Sequence, residues 1–205
     1  MKPRLVQLAE RDARRQSEGR IPVAGIPRSA TPRDRGFDSL TACGRDIGSS
    51  PVAGVVRGFA AIGLHRPKNN VNVGAVLRAA WCYGAALIVA DGTRYRKSRT
   101  DTHKAHRKIP LVQTGDVFDA IPYDCVPVAV DLVEGAQSLF DYEHPERAFY
   151  IFGPEDGTLG AKTIDRCRDV VYIPTQACMN LAATVNVVLY DRANKRGQKN
   201  RNTED

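Results

Sequence analysis

Two short apolar runs in the last third of the chain, residues 148–152 (AFYIF) and 170–173 (VVYI), restrict the fold more than any other feature. Both are rich in aromatic and β-branched residues, as buried strands are. Each stops at a proline-containing loop, Gly153-Pro154-Glu155-Asp156-Gly157 after the first and Pro174-Thr175-Gln176-Ala177-Cys178 after the second. A helical pattern follows each loop. From Met179 onward, Leu181, Val185, Val188 and Leu189 recur at helical spacing, while Ala182, Ala183 and Thr184 leave room for close backbone approach. Parallel strands of an α/β sheet gather their ligand-bearing loops at the carboxyl ends. The two loops therefore predict one shared pocket.

The alternation extends upstream. Residues 58–64 (GFAAIGL) predict a first strand, 65–70 a polar turn, and 72 to about 83 a helix. Residues 86–90 predict a second strand, 116–121 a short helix and 127–132 a further strand. Strand and helix in alternation predict an α/β fold with a parallel sheet covered on both faces. The domain is read as residues 55–195. Residues 1–54, with prolines, glycines and scattered arginines but no sustained period, are read as a basic, largely disordered extension, and 196–205 as a polar tail.

The net charge of +7 is unevenly spread. Residues 1–50 carry 10 Lys/Arg against 6 acids, residues 93–108 carry 7 against 1, and residues 191–205 carry 5 against 3. Positive segments over an acidic body fit a polyanion such as RNA. Within the central block, Arg94, Arg96, Lys97 and Arg99 are the candidate phosphate contacts, and a solvated loop is the plainer alternative. The five cysteines include no C-x-x-C pair, so neither a zinc site nor a disulfide framework is expected, and a reducing cytoplasm is. No apolar run approaches a membrane span, and the Arg-rich start lacks the apolar core of a secretory signal. The absence of G-x-G-x-x-G weakens a Rossmann-type methyltransferase or dehydrogenase, and the absence of G-x-x-x-x-G-K-[ST] argues against nucleotide hydrolysis.

FGPEDGTLG at 152–160, Ile173-Pro174, and CMNLAATVNVVLYDR at 178–192 resemble the second and third motifs of the SpoU/TrmH-type RNA ribose methyltransferases of the SPOUT superfamily. Asn72-x-Gly74-x-x-x-Arg78 is similar to the first. The three stand in the family's order, and the resemblance covers residues 57–192. It implies a SPOUT-type α/β fold with a C-terminal trefoil knot, one of the rare exceptions to unknotted connectivity. It also implies a homodimer, with S-adenosylmethionine as cofactor, methylating a ribose 2′-hydroxyl of tRNA or rRNA. A non-catalytic RNA-binding protein that keeps the fold is the second reading.

The resemblance gives Arg78 the central catalytic role, with Asn72, Glu155 and Asn180 beside it. A guanidinium is a poor base, so Arg78 is expected to grip the acceptor's phosphate or its developing alkoxide. Six residues along a helix turn through about 600°, so Asn72 and Arg78 meet at one cleft only if Asn72 is the helix cap. Backbone groups of Leu132, Gly153, Ile173 and Leu181 are expected to line the cofactor pocket, together with Pro154, Glu155, Cys178 and Asn180. Cys178 stands where the family usually has serine, a stronger hydrogen-bonding group of similar size.

Overall fold

β1 (Phe59–Leu64) and β6 (Arg147–Phe152) lie side by side at the centre of the sheet, and nearly all of their side chains are buried. The computed structural model describes residues 58–92, 95, 98–101 and 104–202. In chain order the remaining strands are β2 (Leu87–Asp91), β3 (Leu111–Thr114), β4 (Val126–Val130), β5 (Gln137–Ser138) and β7 (Asp169–Tyr172). The helices are α1 (Asn70–Cys82), the single turn α2 (Ala161–Ile164) and α3 (Leu181–Asn202). The seven strands run in the order β3-β2-β1-β6-β4-β7-β5, and every pair is parallel.

Alternate residues of each strand feed two cores, as the two-residue pleat requires. Ile62, Leu64, Tyr150 and Phe152 pack under α1 and α3. Ala61, Phe149 and Ile151 pack on the other face with Val117 and Leu159. A sheet buried on both sides accounts for the continuous apolar runs of the sequence.

The C-terminal helix is locked to the amino ends of β1 and β6 by a buried cation. Arg192 is 3% exposed, and its guanidinium donates to the carbonyls of Pro145, Glu146 and Phe59 and to the Tyr150 hydroxyl. Beside it the His144 ring bridges Tyr150 Oη (2.6 Å) and Asp191 (2.8 Å). Helix α3 runs on to Asn202, through most of the stretch read as a tail.

Two local expectations are corrected. Helix α1 opens at Asn70, and its cap is Asn69, whose side chain accepts the Val71 N–H at 2.8 Å; Asn72 lies inside the first turn. Strands β3 and β5 were not anticipated, and the helical pattern after β6 yields one turn only.

Candidate functional site

Three loops meet at the carboxyl end of the sheet. Glu155, after β6, accepts Asn72 Nδ2 at 2.7 Å on one oxygen and the Lys68 N–H at 3.0 Å on the other. Asn180 caps α3, accepting the N–H groups of Ala182 (2.9 Å) and Ala183 (3.4 Å), and donates to Asn72 Oδ1 at 3.3 Å. Asn72 thus joins an acid 83 positions away to an amide 108 positions away. Burial pushes the Glu155 carboxyl up, but the hydrogen bonds from Asn72 and from backbone N–H groups prevail and hold it below the usual carboxylate range. Asp156 is exposed and pairs with Lys68 at 2.6 Å, which leaves Glu155 as the acid that faces inward.

Next to this chain of contacts is a recess of about 300 Å³ at the ends of β4, β6 and β7. Leu132, Gly153, Pro154, Glu155, Ile173, Cys178 and Leu181 all line it. Asn180 does not; it serves as the cap. Among the described residues the carboxylates of the lining are Asp131 and Glu155, and none of the lining is Lys, Arg or His. Asp131 ties two of the loops together, accepting the Leu132 N–H at 2.8 Å and the Leu159 N–H at 2.7 Å. A Cβ at Gly153 would meet Leu159 N at 3.3 Å, so a larger residue there would crowd the loop that closes the recess.

A sequence model of the SpoU rRNA Methylase family matches residues 60–190. The chain belongs to that family. Its fold is shared by solved structures at low identity. AviRb, a SpoU methyltransferase from Streptomyces viridochromogenes that has also been solved with AdoMet, superposes with a TM-score of 0.61 at 22% identity, over 69% of this chain and 61% of its own. The TrmH/SpoU tRNA modifying enzyme of A. aeolicus gives 0.63 at 14% identity, over 72% and 81%. A structure that addresses the 2-OH methylation of C/U34 on tRNA gives 0.59 at 20%, over 70% and 99%. This SpoU chain thus spans about three fifths of the AviRb chain. No curated protein matches it.

Arg78 lies apart from the acidic recess of this family member. It lines a second recess, of about 670 Å³, between α1 and α3, together with Arg99, Thr100, Ala182 and Asn186. Of the four basic residues singled out for RNA, Arg94, Arg96 and Lys97 lie outside the described residues. Sequence reasoning missed Asp91, which is buried at the end of β2 and collects the His65 ring (2.7 Å) and the N–H groups of Arg66 (2.5 Å) and Val117 (3.2 Å). Those bonds hold Arg66 in a left-handed conformation (φ 52°) and so set the course of the loop that carries Asn72. An acid ending an otherwise apolar run, LIVAD, was the available signal. Among the described residues no group of three His, Cys, Asp or Glu is placed to hold a metal ion, and no helix is long and apolar enough to cross a membrane.

Proposed function

We propose that this SpoU-family chain transfers a methyl group from S-adenosylmethionine to a ribose 2′-hydroxyl of a tRNA or an rRNA. The observation that carries the reading is the meeting of Asn72, Glu155 and Asn180 beside a recess lined by seven residues of the predicted cofactor set. The recess suits the cofactor: two carboxylates, with no basic residue among the described lining, favour a ligand that carries a sulfonium and an ammonium. Gly153, Leu132, Ile173 and Leu181 would hold it mainly through the backbone, and Pro154 and Cys178 through shape. When bound, the cofactor supplies an electrophilic methyl group.

The chain's own task is alignment and charge. Glu155, ionised and hydrogen-bonded, fixes the Asn72 amide, and Asn72 and Asn180 would orient the acceptor ribose. Arg78 would grip the acceptor's phosphate or its developing alkoxide, while Arg94, Arg96, Lys97 and Arg99 would hold neighbouring phosphates. The same reading takes the chain as a cytoplasmic homodimer with a trefoil-knotted carboxyl end and its active site near the interface. Residues 55–195 would be the catalytic domain.

The test has two parts: calorimetry with S-adenosylmethionine, and mass spectrometry of nucleosides from tRNA and rRNA incubated with the protein. Cofactor binding with a new 2′-O-methylnucleoside is the expected result. RNA binding without cofactor binding would favour a non-catalytic RNA-binding protein.

A further inference from the structure

Among the described residues, the recess between α1 and α3 is lined by two guanidiniums, Arg78 and Arg99, and by no carboxylate. Both arginines are exposed, and among the described residues neither has a hydrogen-bond or ion-pair partner. Two of the other polar side chains in the lining are already engaged. Thr100 donates to the Val71 carbonyl at 2.6 Å, and Asn186 Nδ2 to the Ala182 carbonyl at 2.7 Å. The cations that an entering anion meets in this lining are therefore the two arginines, whose planar forks suit a phosphodiester, with the Tyr83 hydroxyl beside them.

Arg99 is held on both sides. Ser98 Oγ and Thr100 Oγ1 are 2.8 Å apart, and Thr100 is bound in turn to the first turn of α1. Downstream, buried Asp101 accepts the N–H groups of Ala105 (2.5 Å) and His106 (3.2 Å) and pairs with the His106 ring. The seat for this arm is Gly74. A Cβ there would lie 2.5 Å from Thr100 Oγ1 and 2.8 Å from Ser98 Cβ, so any side chain at position 74 must push the arm away.

We propose that Arg78 and Arg99 form one site for an RNA phosphodiester, and that Gly74 acts as a positioning residue by seating Ser98 and Thr100 and so aiming Arg99. The proposal rests on the methyl-transfer reading, which already gives both arginines to phosphates, and adds to it their meeting at one phosphodiester and the glycine that aims Arg99. Because the arm is tied down before RNA arrives, little conformational freedom is lost when Arg99 binds.

The experiment measures fluorescence anisotropy of the full chain with labelled bulk tRNA and with fragmented ribosomal RNA, across a salt series. Arg99→Ala is expected to weaken binding about tenfold and to reduce the salt slope by about one. Gly74→Ala keeps both arginines and is expected to give at least half of that loss on the logarithmic scale. The double variant is expected to bind no more weakly than Arg99→Ala alone, because the glycine acts through the arginine. A merely structural role for Gly74 would add its effect to that of Arg99. Should Gly74→Ala fail a thermal melt, Thr100→Val releases the same clasp at nearly constant volume and takes its place. Unchanged affinity and slope in Arg99→Ala, or additive losses in the double variant, overturn the proposal. Calorimetry on the same samples separates the two readings: RNA binding without S-adenosylmethionine binding sinks the methyl-transfer reading, while the slopes still decide this site.

Discussion

Replacing Glu155 with glutamine tests the chain of contacts at its centre. Both carboxylate oxygens act as acceptors, one from Asn72 Nδ2 at 2.7 Å and one from the Lys68 N–H at 3.0 Å. Glutamine keeps the shape but turns one acceptor into a donor, so one of the two contacts becomes donor against donor. A charge-assisted hydrogen bond is worth about 1.5–3 kcal/mol, and partial exposure at this loop argues for the lower end. Losing about 1.5 kcal/mol of orientation at Asn72 predicts a fall of roughly tenfold in kcat/KM for methyl transfer. Glu155→Ala removes both contacts and is expected to cost more. Asn72→Ala combined with Glu155→Gln should cost little beyond Asn72→Ala alone, since the acid acts through the amide. Methyl-transfer kinetics, with a thermal melt of each variant, make the measurement. Glu155→Gln retaining more than half of the wild-type kcat/KM would refute the reasoning.

Arg78→Ala is expected to lower kcat/KM by more than tenfold while calorimetry finds cofactor affinity nearly unchanged, because Arg78 lines the other recess. Cys178→Ser should preserve activity, and cofactor titration should find tighter binding; a large loss of activity would show a role for the thiol. Burial drives the His144 pKa from 6.5 down to about 4, against the opposing pull of Asp191. The folded state then binds fewer protons than the unfolded one, so stability is complete above about pH 6.5 and falls by about 3 kcal/mol as pH drops toward 4. Urea midpoints across that range should show the loss, and His144→Gln should flatten it.

The layered α/β fold could be read from the sequence wherever strands were continuous and apolar. Residues 148–152 and 170–173 could hardly be anything but buried strands, and they fall within one position of β6 and β7. Strand β3 escaped because LVQT sits at the edge of the sheet, where half its residues can be polar, and β5 because two residues leave no period to detect. The start of α1 was misplaced for a different reason. HRPKNNVN offers three asparagines within four residues, each a competent cap, and only the backbone decided for Asn69. Arg192 carried no warning at all: an arginine on a helix normally faces solvent, and here its partners are main-chain carbonyls that no side-chain pattern records.

At the candidate site, the sequence named residues but not their partnerships. The motif loops named Asn72, Glu155 and Asn180, but the hydrogen bonds among them depend on how distant loops meet across the sheet. The separation of the two recesses was equally hidden, although it follows from helix geometry once α3 is in place. Leu181 and Thr184 line the acidic recess, Ala182 and Asn186 the basic one. On a helical wheel at 100° per residue these pairs point about 150° apart, with the buried stripe of Val185, Val188 and Leu189 between them. Helix α3 is thus a partition whose core-facing edge is fixed and whose two flanks face opposite charge. A cationic cofactor and an anionic acceptor can each be held on its own side, and the first turn, capped by Asn180 and bound to Asn72, is where the two sides come closest to a common residue.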